Sequence, residues 1–553
     1  MRRSINMNLD ETTAESSRKL HDAFPCCKAL TGPRCWEELC RGETGAEWPR
    51  NAEELVARIE KKTSDGMLPD YLFELARLEL LLARMAGTRN DLGKAGARWQ
   101  INPTLEVSHN AWNVPALVNG LRNGTPVLPA LEDTHALVWY DSRRQQARVK
   151  TASREELFVL KILADDVALE DAAQLVGRHP DAVHNAFCRA RDQGIIQGRA
   201  SRLVRDDNVC TATVPAEVRA VRQFVLQWHI THSCDLHCKH CYDRSRRSPM
   251  TRQQGLTVLD RFGEFCRGRN VGGHVCFSGG NPLLSPHFFD LYQEAADRGH
   301  ALSILGNPAS RQNLERICAV KRPHYFQVSL EGLPDHNDSI RGEGFFARVI
   351  EFLGLLRDVG IPSVVMLTLT RDNMDQVLPL AERLRGHADQ FTFNRLSPVG
   401  EGASLAMPPQ EKFAGFLRDY QAACAENPIL ALKDNLFNIV RWEEELPAFD
   451  GCTGFGCGAA FNFVAVLPDG EVHACRKFPS FIGNVFSNSL LSIYDNDESR
   501  KYRTRPVDCR DCPLCPQCGG CLAVADGLAR DCFVEKDPYC FLDKGDNDAD
   551  RNS

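Results

Sequence analysis

The feature that most limits what this chain can become is the run Cys234-Asp-Leu-His-Cys238-Lys-His-Cys241-Tyr242, directly after the apolar-rich stretch 224–230. Three and then two residues separate the cysteines. Three thiolates can hold three irons of a [4Fe–4S] cube and leave the fourth iron open, and an open position binds substrate instead of merely bracing the fold. Zinc is the competing reading, but a structural zinc takes four protein ligands, and His237 and His240 sit awkwardly between the cysteines. Three unconnected buried thiols are the plain alternative.

Composition narrows the setting. At 553 residues the chain has room for about two to four domains. Its 43% hydrophobic and 25% charged residues match a soluble globular protein with an ample core. No run of eighteen apolar residues occurs, so no membrane-spanning helix is expected. The start Met1-Arg-Arg-Ser-Ile lacks the apolar region of a secretory signal. A net charge of −7 gives no general pull toward nucleic acid. Ten of the 23 cysteines crowd between Cys452 and Cys540, which in a chain without a signal reads as metal ligation in a reducing cytoplasm, not disulfides.

Residues 1–130 read as a mostly helical N-terminal region. The first fifty are polar and irregular, and Cys26, Cys27, Cys35 and Cys40 fit no cluster spacing, so ordinary thiols are expected there. Pro69 can open a helix carrying Leu72, Leu75, Leu78, Leu82 and Met85, which Gly87 can close. Residues 131–205 show more pattern. Segments 136–140 and 147–150 read as strands about a polar turn, followed by helices over 153–164, 169–176 and 180–193. Ser153 with Glu156 forms a capping box, and Leu157, Leu160, Ile162, Leu163, Ala172, Leu175, Val183, Phe187, Ile195 and Ile196 form a candidate core. This winged-helix-like unit resembles the precursor-recognition element of ribosomal peptide maturation enzymes, the fold of the pyrroloquinoline-quinone chaperone family. There a leader peptide adds a strand to the hairpin edge. DNA binding and a purely structural role are the alternatives; the last helix has Arg189 and Arg191 but no dense basic face.

Over 220–410 apolar runs alternate with helical stretches, implying βα units and a parallel sheet. Six strands are expected, over 224–231, 274–278, 301–305, 325–330, 363–369 and 391–395. Together with the cysteine motif this resembles the radical S-adenosylmethionine (SAM) enzymes, whose fold is α/β with a partial (βα)6 barrel. The resemblance implies SAM bound to a [4Fe–4S] cluster on Cys234, Cys238 and Cys241. It implies reductive cleavage of SAM to a 5′-deoxyadenosyl radical, which abstracts a hydrogen from substrate. Ser278-Gly279-Gly280-Asn281-Pro282 follows the second strand, where the family has Gly-Gly-Glu-Pro on the SAM amino group. Asn281 keeps an acceptor oxygen but not the charge. The run Ser329-Leu-Glu331-Gly, then His336, Asp338 and Arg341-Gly, is similar to that of the peptide- and protein-modifying branch. By that likeness Ser329 contacts the SAM ribose or carboxylate and Arg341 pairs with a carboxylate; the alternative is an Asp338–Arg341 pair on one helix.

Residues 450–545 hold the remaining cysteines. Twelve residues separate Cys457 from Gly470 and four separate Gly470 from Cys475, and a Pro-Asp-Gly turn makes a hairpin between the cysteines. With Cys509-x2-Cys512-x5-Cys518 and Cys521 this resembles the SPASM domain, a holder of auxiliary clusters, although the Cys518–Cys521 step is one residue short. The resemblance implies one auxiliary cluster on Cys452, Cys457, Cys475 and Cys521 and a second on Cys509, Cys512, Cys518 and Cys540, for three [4Fe–4S] clusters in all. Cys515 and Cys532 are spare. Where sulfatase-maturing relatives place an acidic base, directly after Cys475, this chain has Arg476. No catalytic acid or base is identified, and the tail from Asp543 is expected to be disordered.

The family likeness implies a cytoplasmic radical SAM/SPASM oxidoreductase that modifies a ribosomally made peptide, with a leader as docking handle and flavodoxin or ferredoxin as electron donor. The wording Phe277-Ser-Gly-Gly-Asn-Pro-Leu-Leu284 and Leu305-Gly-Asn-Pro308 is similar to the selenobiotic or thio(seleno)oxazole peptide maturase branch, which implies a Cys-rich peptide. Neither nucleic acid nor membrane is expected as a partner. A radical SAM enzyme acting on a small molecule or folded protein, and a non-enzymatic iron–sulfur DNA sensor, are the rival readings.

Overall fold

The computed structural model describes residues 22–41, 49, 51–86, 98–125, 127–206, 209–245 and 247–542. They fall into two compact units, one within 1–172 and 186–200, the other within 173–185 and 201–553. Residues 1–21, Gly87 and the tail from Asp543 lie outside the described residues. Among the described residues no helix is long and apolar enough to cross a membrane.

In the first unit the strands are β1 (Gln100–Ile101), β2 (Glu106–Trp112), β3 (Leu131–Asp141), β4 (Gln146–Thr151) and β5 (Ile196–Gln197). β2, β3 and β4 form an antiparallel sheet, and β1 pairs with β5. The hairpin expected from the sequence is β3 and β4. β2 was not anticipated, and it carries the sheet across the expected boundary at residue 130. Its side chains are mostly exposed, so no apolar alternation marked it as a strand. The helix Tyr71–Ala86 buries Leu72, Leu75, Leu78, Leu82 and Met85 against Val114, Leu117, Val118, Ala136, Val138 and Val149.

The reading of residues 1–50 as irregular is corrected by the helical run Pro25–Arg41, which bends at Gly32, where φ is 75°. Gly32-Pro33 disguised it as a break. Buried Glu79 accepts the N–H groups of Cys26 at 2.6 Å and Cys27 at 2.9 Å, satisfying the helix start. Ser153 and Glu156 make both halves of the capping box that opens the helix Arg154–Ala164. Leu175, expected in the core, is 72% exposed, and Leu157 and Leu163 are half-buried.

The two edges of the three-stranded sheet differ. The carbonyl of His135 in β3 accepts the N–H of Ala152, 2.7 Å away on the β4 side. His109, opposite His135, therefore turns its N–H and C=O away from β3, as does Val107 two residues earlier. Among the described residues nothing bonds those outward groups, whereas the outward N–H of Ala111 donates to Glu74 at 2.9 Å. On the far edge, Asn119 of the helix Val114–Arg122 donates to the Val149 carbonyl at 3.2 Å. β2 is thus the open edge and β4 the covered one.

The second unit holds β6 (Gln223–Thr231), β7 (Gly272–Gly279), β8 (Ala301–Leu305), β9 (Phe326–Ser329), β10 (Ser363–Leu369) and β11 (Gln390–Arg395), the six strands expected from the sequence. They pair in parallel in chain order, with helices in the crossovers, as right-handed βα units do. β6 does not pair with β11, so the barrel stays open. On its β6 side the sheet continues into β12 (Phe463–Val466), β13 (Glu471–His473) and β14 (Phe481–Asn484), nine strands in all. β12 is parallel to β6, and the β12–β13 hairpin turns at Gly470 with φ 83°. Residues from 450 to 542 are therefore built onto the barrel's first strand.

The barrel interior holds neutral histidines. His274 is buried, its Nε2 2.9 Å from Ser303 Oγ, and burial pulls its pKa down to about 4. Between that value and the unfolded one near 6.5 the unfolded chain binds the extra proton, so stability falls as pH falls through that window. His274→Gln is expected to remove about 1.4 kcal/mol per pH unit of that slope. Urea midpoints measured between pH 7 and pH 4 check this, and identical pH profiles for variant and wild type would refute it.

Candidate active site and cysteine cavities

At the C-terminal ends of the barrel strands lies a cavity of about 410 Å³, within the range of small-molecule sites. Cys234, Cys238 and Cys241 line it from the loop after β6, together with Ser278, Gly279, Gly280, Ser329 and Arg341. Asn281 and Pro282, the other expected SAM contacts, are buried but do not line the cavity.

Besides lining the cavity, the paired glycines let two stretches of backbone come close. Gly280 N–H donates to Thr231 O at 2.9 Å and Asn281 N–H to Ser233 O at 2.8 Å, so this loop lies against the end of β6. A Cβ on Gly280 would stand 2.3 Å from Ser233 O, and one on Gly279, at φ +127°, 2.1 Å from Thr231 O. The missing side chains let two backbones meet beneath the cysteine loop. Asn281 donates to Asp235 Oδ1 at 3.0 Å, and Asn307 donates to the same oxygen at 2.6 Å and to Cys234 Sγ at 3.7 Å. Both amides thus hold the residue beside Cys234.

Arg341 lies behind Cys238. It donates from Nε and Nη2 to Glu331 Oε1 at 2.9 and 2.5 Å, and from Nη1 to Cys238 Sγ at 3.7 Å. Glu331 also accepts the Thr368 N–H at 2.8 Å and lies 3.3 Å from His240 Nε2. Burial works against charge on Glu331, but His240, Arg341 and Thr368 outweigh it and hold the carboxyl below its usual range. Asp338 is turned to the N–H groups of Gly344 and Phe346, so the alternative Asp338–Arg341 pair does not form. His229 and Tyr242 face each other at 3.2 Å; burial pulls the imidazole down to about 3 and pushes the phenol up, leaving both neutral.

Burial pushes the Cys234 and Cys238 thiols up, with Asn307 and Arg341 pulling the other way. A metal overrides such shifts, because a coordinated thiol is deprotonated outright. Among the described residues no three His, Cys, Asp or Glu side chains converge on one ion. What the three cysteines share is one cavity, with N–H donors aimed at two of the sulfurs and the His240 Nδ1 buried without a partner. These residues fit a sulfur-bridged cluster and a polar cofactor beside it.

Two smaller cavities gather the C-terminal cysteines. Cys452, Cys457, Cys475 and Cys521 line one, the foursome expected for the first auxiliary cluster. Cys509, Cys512, Cys518 and Cys540 line the other, joined by Cys515, and Cys532 lines neither. Cys457 N–H donates to Cys518 O at 3.1 Å, so the two are neighbours. Asn435 accepts the Cys452 N–H at 2.7 Å, and Asp537 accepts the Cys521 N–H at 2.8 Å. Buried Arg505 donates to the carbonyls of Phe455, Cys457, Cys515 and Pro516. Sequence reasoning missed Glu331, Asn307, Asn435, Asp537 and Arg505. Glu331 and Asn307 sit in the noted Ser-Leu-Glu-Gly and Gly-Asn-Pro segments; the partners that tie Asn435, Asp537 and Arg505 to the cysteine loops and to Arg395 lie 10 to 142 residues away.

Residues 228–384 match the radical SAM superfamily and residues 457–521 match an iron–sulfur cluster-binding domain, SPASM. The chain thus carries a radical SAM domain followed by a SPASM domain. Its relatives include the AdoMet-dependent heme synthase of Nitratidesulfovibrio vulgaris, 26% identical over 57% of this chain and 91% of that protein. The antilisterial bacteriocin subtilosin biosynthesis protein AlbA of Bacillus subtilis is 25% identical over 65% of this chain and 79% of that protein. The mycofactocin maturase MftC of Mycolicibacterium smegmatis is 26% identical over 57% and 82%.

Gly280→Ala is expected to cost about 1–3 kcal/mol of stability, because a backbone oxygen cannot yield to the new Cβ. A urea midpoint equal to that of the wild type would show that the loop does not need the close approach.

Proposed function

We propose that the protein is a radical SAM enzyme that modifies a ribosomally made precursor peptide, held by a leader on the open edge of β2. Cys234, Cys238 and Cys241 would hold the cluster on which SAM binds, and the two C-terminal foursomes would hold auxiliary clusters, three [4Fe–4S] clusters in total. Held together in the barrel, a reduced cluster and SAM would supply radical chemistry for abstracting a hydrogen from substrate. The chain's own residues do the rest. Arg341 and Asn307 direct N–H groups at the sulfurs of Cys238 and Cys234 and would so tune the electron density of a cluster held there. Gly279 and Gly280 seat the cysteine loop, and Ser278 and Ser329 line the cavity for the cofactor's polar groups. His229 and Tyr242, kept neutral by burial, offer a hydrogen-bonding wall that adds no charge. The electron for reduction would come from a carrier such as flavodoxin or ferredoxin in the cytoplasm.

The observation that carries the peptide reading is the open strand edge at Val107 and His109. An extended peptide can add there as a fourth strand. The relatives AlbA and MftC, named for bacteriocin biosynthesis and for a maturase, point the same way. A small-molecule substrate is the second reading, favoured by the heme synthase relative, whose match covers the same share of this chain as that of MftC. As for DNA, Arg189 is paired with Glu155 at 2.8 Å, and the Arg191 side chain is only 7% exposed.

Two experiments test this. Cys238→Ala is expected to abolish reductive SAM cleavage, measured as 5′-deoxyadenosine from anaerobically reduced protein; an unchanged yield would refute the ligand assignment. The edge N–H of Val107 faces outward, so Val107→Pro is tolerated by the sheet but blocks a ladder bond to an added strand. Pull-down of small peptides from the native host, read by mass spectrometry, is expected to capture a precursor on wild type and about tenfold less on Val107→Pro. Equal capture would rule out docking on β2.

A further inference from the structure

Among the described residues five cations line the barrel cavity, Arg244, Arg341, Arg395, Arg476 and Lys477, against one carboxylate, Asp243. Four of the five are engaged. Arg341 is paired with Glu331, and Arg395 with Asp434 and Asp537. Arg244 donates to the Cys238 carbonyl and lies 3.9 Å from Glu401. Lys477 donates to the Arg395 carbonyl at 3.0 Å. Arg476 has no hydrogen-bond acceptor or ion-pair partner among the described residues.

Its neighbours show where the guanidinium points. The Arg476 charge bears on Tyr242, Cys276 and Tyr325, which lie after β6, within β7 and just before β9. The cavity that gathers Cys452, Cys457, Cys475 and Cys521 is lined by Lys477 but not by Arg476. So although Arg476 follows Cys475 in the chain, it faces the barrel cavity and not the auxiliary sulfurs. A half-buried guanidinium without an anion has given up hydration for nothing in return, and the loss is recovered when an anion enters. Its planar fork matches a carboxylate, and as a permanent cation it cannot serve as a base.

We infer that Arg476 is the binding cation of an anion subsite in the barrel cavity, and that this subsite takes a carboxylate of the substrate. The inference rests on reading the cavity as the place where substrate is modified, and it sharpens that reading. The part of the substrate that enters the barrel carries an acidic side chain or a free C-terminal carboxylate. Arg476 is then a specificity-determining residue.

The test uses full-length protein with its clusters reconstituted and three probes of nearly equal size in calorimetric titration. N-acetyl-L-glutamic acid α-amide carries only a side-chain carboxylate, N-acetyl-L-glutamine only a main-chain one, and N-acetyl-L-glutaminamide neither. At least one acid is expected to bind about tenfold or more tightly than the neutral probe. Which acid wins distinguishes the two carboxylate sources. In Arg476→Gln that preference is expected to fall below about twofold, and Arg476→Lys, which keeps the charge but loses the fork, to retain part of it. Equal binding of acids and neutral probe to wild type, or an undiminished preference in Arg476→Gln, overturns the inference. So does an equal loss of affinity for SAM and for the acid, which would assign Arg476 to the cofactor. None of the probes is long enough to add as a strand on β2, so the outcome is independent of whether a leader docks there.

Discussion

A guanidinium turned into a protein interior needs acceptors, and in this barrel the choice of acceptor decides what each arginine does. Arg395 at the end of β11 is 1% exposed and takes two carboxylates, Asp434 and Asp537. Asp537 in turn accepts the N–H of Cys521, so one buried charge network clamps the C-terminal cysteine segment to the last barrel strand. Removing one member of such a network strands the others' charge at about 3–5 kcal/mol, which makes the clamp rigid even if the network as a whole adds little net stability. Arg341 takes Glu331 and is thereby aimed at Cys238. Arg476, without an anion among the described residues, keeps its charge for the cavity.

The second organising fact is that barrel and cysteine domain share one sheet. β12 pairs in parallel with β6, the strand that carries the Cys234–Cys241 loop at its end. Cys475 follows β13, so the sheet sets the foursome of Cys452, Cys457, Cys475 and Cys521 beside the barrel cavity, and Lys477 lines both spaces. The contact Cys457 N–H to Cys518 O then ties the first foursome to the second. Proposed ligands scattered over hundreds of residues are thus placed by a continuous ladder of backbone hydrogen bonds, with Arg505 filling the gap between loops.

Legibility followed the range of the interactions. The six barrel strands were readable because each is a short apolar run between turn signals, and buried strands have no reason to alternate. The capping box at Ser153 was readable because its two bonds span three residues. β2 was not, since an exposed edge strand shows no apolar pattern, and the helix Pro25–Arg41 was hidden by the Gly-Pro at its bend. The paired glycines were noticed through the family likeness, and only the structure shows that they also pack closely on the chain's own backbone at Thr231 and Ser233.

The sequence by itself determined the inventory: which cysteines could act together, the order of the βα units, and the arginine, Arg476, that directly follows Cys475. These are local facts of spacing and residue type. The tertiary structure decided partnership. It gathered the two C-terminal foursomes, spent Arg341 and Arg395 on buried carboxylates, turned Asn281 to Asp235 and gave Arg476 no anion among the described residues. Charge and hydrogen-bond pairing act over a few ångströms in space, between residues that the chain may keep a hundred positions apart, and only the fold sets that distance.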